Sequence, residues 1–111
     1  MTRPVSVSFF AATLLIAAAS GASLTGADKT AKLNCAGGVA TVRGANNDVT
    51  ISGSCKSLTL EGAENIIRID LAASSKIIIR GADNIVYWTA PKGSKPVVNV
   101  IGADNIVQRT R

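Results

Sequence analysis

The chain has no histidine at all, and its 111 residues include only two cysteines, one tryptophan and one tyrosine. Without histidine, the commonest general base at neutral pH is missing. Ser74 and Ser75 stand near Lys76 but have no base or oxyanion signature, so nucleophilic catalysis has no supporting constellation. Two cysteines alone cannot assemble a four-ligand zinc site of the usual kind. The shortage of aromatics, with no basic cluster or recognition motif, argues against nucleic acid as a partner. The glycines form no GxGxxG or Walker pattern ahead of a helix, so phosphate binding has no signature either. The sequence therefore predicts no catalytic residues, no cofactor and no metal ligands.

A long apolar run occurs once, at the start. Arg3 supplies positive charge, Val5 to Ala19 (VSVSFFAATLLIAAA) is uncharged and apolar, and small residues follow in SGASLTGA. That order is the form of a secretory signal peptide over residues 1–22, with cleavage after Ala22 or as late as Ala27. The run is short for a membrane span of ~20 residues, and no later segment is apolar enough to cross a bilayer. Cys35 follows Asn34, well beyond the cleavage region, which disfavours a lipid-anchored cysteine. The expected location is thus outside the cytoplasm: periplasm, cell envelope or medium. Lysine and arginine number 12 against 7 acidic residues, but they are scattered, as solubility charge is. Contact with an anionic envelope component remains compatible with this excess.

What the chain does have is a repeat. GADNIV occurs at 81–86 and again at 102–107, and GANNDV and GAENII begin at Gly44 and Gly62. The cassette is Gly-Ala-polar-Asn-x-Val/Ile, with glycines at 44, 62, 81 and 102. Spacing of about 20 residues marks a solenoid, in which one repeat is one coil. Apolar residues alternate with others on both sides of each cassette (ATVRG, LTLEG, IIIRG, VNVIG before; DVTIS, IIRID, IVYWT, IVQRT after), which is the strand period. The expected fold is all-β: a small parallel β-helix of about four coils over residues 28–111.

Aligned coils give inward columns: Ala40, Leu58, Ile77, Val98; Val42, Leu60, Ile79, Val100; Val49, Ile67, Val86, Val107; and Ile51, Ile69, Trp88, ending in Arg109. Asn47, Asn65, Asn84 and Asn105 then point inward at the corners, where stacked amides can form a ladder. The four cassette glycines meet a corner that needs positive φ or close backbone approach. With rungs ~4.8 Å apart the core is thin, and a domain of this size needs a staple. Cys35 and Cys55, 20 residues apart and about one coil from each other, are placed to form a disulfide between neighbouring rungs.

The run CAGG…VRGANNDVTISGSCKSLTLEGAENIIRID, followed by IIIRGADNIVYW and VIGADNIV, resembles the bacterial secreted proteins grouped as domain of unknown function 3060. The resemblance extends from Cys35 to Val107 and implies an exported short β-solenoid of unassigned activity. It brings no catalytic residues with it.

Three outer columns remain. Arg43, Glu61 and Arg80 alternate in sign, as cross-rung pairs do. Asn46, Glu64, Asp83 and Asp104 form an acidic column; calcium is a conceivable ligand, but the aspartate-rich nonapeptide of calcium-binding β-rolls is missing. Ile66, Ile85 and Ile106 line up beside the asparagines as an expected outward contact stripe, headed by the polar Asp48. A threonine array of the kind that binds ice begins at Thr41 and Thr59 but is broken by Ile78 and Asn99. Polysaccharide-active β-helix enzymes need a long groove, which so few coils do not provide. The expected role is a structural or interaction module that self-associates or meets an envelope component. Glycan recognition on an outer face is the alternative.

Overall fold

Each Gly-Ala-x-Asn corner ends one strand and starts the next, and this sets the path of the chain. The computed structural model describes residues 21–110. It runs β1 (Gly21–Ala27), β2 (Thr30–Asn34), β3 (Val39–Ala45), β4 (Asp48–Ala63), β5 (Ile66–Ala82), β6 (Ile85–Thr89), β7 (Val97–Ala103) and β8 (Ile106–Arg109). Every pairing is parallel, in the order β1-β3-β4-β5-β6-β8, with β2 on β4 and β7 on β5. Parallel neighbours separated by about a coil of sequence define a β-solenoid, here of about five turns.

The fifth turn corrects the expected count of four, and it lies at the start. β1 pairs with β3 from Gly21↔Val39 to Ala27↔Ala45, so coil pairing is present ahead of residue 28, from Gly21 among the described residues. Gly26-Ala27-Asp28-Lys29 is a corner in which lysine stands where the others have asparagine, which hides it from a motif search. The expected leader lies outside the described residues except for Gly21 and Ala22, which open β1. Among the described residues no helix is long and apolar enough to cross a membrane.

Registers between neighbouring coils follow the sequence columns. Ala40, Leu58 and Ile77 stack, as do Val42, Leu60 and Ile79, Val49, Ile67 and Val86, and Ile51, Ile69 and Trp88. All twelve are buried. Leu71 joins them, paired with Cys55, where the register of β4 against β5 slips between Ile51 and Ser57. The expectation fails at one end: Val98 and Val100 continue the inner columns but are 43% and 40% exposed, because no described coil covers them. Arg109 closes the tryptophan column, its guanidinium 5.1 Å from the Trp88 ring centroid.

Candidate functional site

The corners carry most of the polar side chains that the repeat specifies. At the third residue of each cassette the backbone turns left-handed: Asn46, Glu64, Asp83 and Asp104 all have φ near 58–59°, as does Asp28 in the first coil. Asparagine and aspartate tolerate this region because a short polar side chain can bond locally. The acidic column is thus first a conformational requirement, a signal available in the sequence but not read from it. Asn46 donates its side-chain amide to Asp28 Oδ1 across one rung. No group of three histidine, cysteine, aspartate or glutamate side chains among the described residues is arranged to hold a metal.

The glycine one step earlier is equally constrained. Gly44, Gly62, Gly81 and Gly102 have φ of 139°, 133°, 139° and 129°, and a Cβ on any of them would collide with the glycine carbonyl of the coil above. Both reasons anticipated for glycine operate at once.

The asparagines form a ladder. Asn65 Oδ1 accepts from Asn47 N–H (3.1 Å) and Asn47 Nδ2 (3.0 Å), and Asn84 Oδ1 accepts likewise from Asn65. Asn105 Oδ1 accepts from Asn84 N–H and Nδ2, both at 3.0 Å. The remaining Nδ2 proton of each goes to a glycine carbonyl one coil back: Asn47 to Gly26, Asn65 to Gly44, Asn84 to Gly62 and Asn105 to Gly81. Two donors and two lone pairs exhaust an amide, so Asn65 and Asn84 are fully satisfied and have nothing left for a ligand. Asn47, Asn65 and Asn84 are buried, and Asn105 is half-buried at the last coil.

The other polar columns are also occupied in holding coils together. Glu61 bridges Arg43 and Arg80, both at 3.1 Å, and Arg68 reaches Asp48 at 2.9 Å. At this exposure such pairs fix register more than they stabilise. Cys35 and Cys55 are joined as a disulfide with a Cα separation of 5.6 Å, tying the chain ahead of β3 to the slipped segment of β4. Ile66, Ile85 and Ile106 stack in register below Asp48; the first two are half-buried and Ile106 is exposed. Ser74 is exposed, whereas Ser75 is buried and its hydroxyl meets no partner among the described residues.

Two further surface features stand out. One is a cavity of about 610 Å³ on the outer face, lined by Thr50, Ser52, Arg68, Asp70, Tyr87 and Thr89 among others. Arg68 lies 6.0 Å from the Tyr87 ring centroid, and Asp70 accepts from Thr89 Oγ1 (3.4 Å) and Ser54 N–H (3.2 Å). Alternate residues of three adjacent strands come together there only once registers are known. The other is the apolar last coil. Among the described residues the exposed large apolar side chains are Val39, Val97, Val98, Val100, Ile101 and Ile106, and all but Val39 belong to β7 or β8.

Residues 42–104 match the family described as protein of unknown function (DUF3060). The chain belongs to that family. The DUF3060 match takes in the cassettes at 44–47, 62–65 and 81–84 and stops one residue short of Asn105. The first coil, with Lys29 at its corner, lies outside the DUF3060 match. No curated protein and no solved structure matches the chain.

Proposed function

We propose that this DUF3060 chain is an exported structural or protein-interaction module that acts through its surface and not through catalysis. The observation that carries this reading is the last coil. Val97 and Ile101 stand where the coil above presents Lys76 and Arg80, and this coil gathers nearly all the exposed large apolar residues among those described. Contiguous exposed apolar surface of this kind marks contact with another protein or a membrane. The asparagines and most arginines, in contrast, are engaged in coil-to-coil bonds. Export is supported by the leader pattern and by a disulfide, which persists in oxidising compartments.

The test is capture from a native envelope extract on the immobilised, disulfide-intact chain. Specific retention of an envelope protein, lost with Ile101→Lys, is the expected result. Equal retention by wild type and Ile101→Lys would place the contact elsewhere, and no retention would remove the reading.

The cavity favours a second reading, glycan recognition. An aromatic ring beside arginine, aspartate and threonine hydroxyls is a chemistry suited to a sugar. A glycan array probed with wild type and Tyr87→Ala separates the two readings. Glycan binding abolished by Tyr87→Ala and untouched by Ile101→Lys would support this second reading.

A further inference from the structure

Every junction between the cassette coils uses the same bonds. The left-handed residue of the upper coil donates its N–H to the alanine carbonyl of the coil below: Asn46 to Ala63, Glu64 to Ala82, Asp83 to Ala103. The upper asparagine gives its N–H and one Nδ2 proton to the lower Oδ1. In return the lower asparagine donates Nδ2 to the upper glycine carbonyl. The residue after it donates its N–H to the upper asparagine carbonyl: Ile66 to Asn47, Ile85 to Asn65, Ile106 to Asn84, each at 2.8 Å.

At the last coil the upper half of this set is present and meets no such partner among the described residues. Its members are the N–H of Asp104, the N–H and second Nδ2 proton of Asn105, and the carbonyls of Asn105 and Gly102. The strand beside them is unusual as well. Thr25, Arg43, Glu61, Arg80 and Ile101 form one outward column, and Gly21, Val39, Ser57, Lys76 and Val97 another, in which Val39 is also exposed. Both end in apolar residues, 57% exposed at Ile101 and 67% at Val97. β7 therefore contains no charge, and of its outward side chains only Asn99, between Val97 and Ile101, is polar. Charge is the usual protection of an open edge; β7 has none, and on this coil it comes only from Asp104 at the corner and Arg109 in β8.

We propose that the last coil is a docking edge for one further coil supplied by another chain: an extended segment of alternating apolar residues around a Gly-Ala-x-Asn corner. This rests on the interaction-module reading and names its partner. The occupant follows from the unfilled bonds. Asn105's two donors converge on a single missing Oδ1, as they do in the three junctions above. The first coil of a second copy cannot provide it, because Lys29 has no acceptor. The Lys29 stem also lies against Gly26, where each later glycine has the preceding glycine carbonyl. Two last coils meeting tail to tail fail for a different reason: each Asn105 Oδ1 already holds two protons from its own Asn84.

The probe is a labelled synthetic peptide of residues 76–89 (KIIIRGADNIVYWT), titrated onto the disulfide-intact chain by fluorescence anisotropy. Saturable binding is expected, about tenfold or more weaker for the Asn84→Ala peptide, which lacks the shared amide oxygen. Ile101→Lys in the protein should weaken binding comparably, while Thr25→Lys on the same column of the first coil should leave it unchanged. Melting curves confirm that both variants fold; Val97→Lys replaces Ile101→Lys if the latter does not. No saturable binding, equal binding of the Asn84→Ala peptide, or sensitivity to Thr25→Lys in place of the last-coil variant would overturn the proposal. Envelope capture that depends on Ile101 but is not competed by the peptide would remove the coil partner and leave the interaction reading standing.

Discussion

At the scale of single residues, the asparagine does more than fill a corner. Its amide replaces both backbone bonds that a corner interrupts, and it does so for two coils at once. Asn84 holds Asn65 above it and Asn105 below it, and it satisfies the Gly62 carbonyl. Asn84→Ala strands the buried donors of Asn65, so the fold should lose about 1–3 kcal/mol. Asn105→Ala should cost less, because Asn105 is half-buried and no described coil lies beneath it. Denaturant midpoints of the two variants, measured side by side, check the order as well as the size.

At the scale of elements, β4 and β5 are single strands of 16 and 17 residues that serve two coils each, bending around the return without a loop. The disulfide sits at that bend. It ties the segment before β3 to the place where β4 loses register with β5, which backbone pairing alone holds poorly. The chain purified without reductant should show no free thiol by mass spectrometry. Reduction should lower stability by about 3 kcal/mol in the chain-entropy model for a loop of this length. The first strand makes a separate prediction. Cleavage after Ala22 leaves Ser23 to Ala27 to cover β3, whereas cleavage after Ala27 strips β1 from that edge. With export as proposed, N-terminal sequencing of the mature protein should therefore find Ser23 first.

At the scale of the whole molecule, the two described ends differ. The first coil is closed by Lys29 lying on Gly26, and the last coil presents β7, a mostly apolar strand without charge. Lys29 thus acts against stacking of one copy on the next. Lys29→Asn should restore a ladder amide at the first coil, accepting from Asn105 of one neighbour and donating to Asn47 of its own chain. Head-to-tail contacts do not close, so the product should be a series of growing oligomers. Sedimentation velocity over a range of concentrations would show this, with wild type free of the series.

Much of this molecule was determined by the sequence alone, because a solenoid repeats one local solution. Four Gly-Ala-x-Asn cassettes and period-two alternation specified parallel coils, the inward columns, the asparagine ladder, the Arg43–Glu61–Arg80 pairing and the Cys35–Cys55 link. Each is a relation between residues one coil apart, so spacing alone reveals it. Where the repeat degenerates, as at Gly26-Ala27-Asp28-Lys29, a whole coil went unread, since lysine does not look like asparagine until β1 is seen paired with β3. The left-handed backbone at Asn46, Glu64, Asp83 and Asp104 was likewise hidden behind an apparent column of charge. Tertiary structure decided what depends on more than one coil boundary. It exposed Val98 and Val100, which continue buried columns, and it assembled the Thr50–Arg68–Tyr87 cavity from three strands. The physical reason is that burial belongs to the stack and not to the residue: the same valine is core when a rung lies on either side and surface when one is missing.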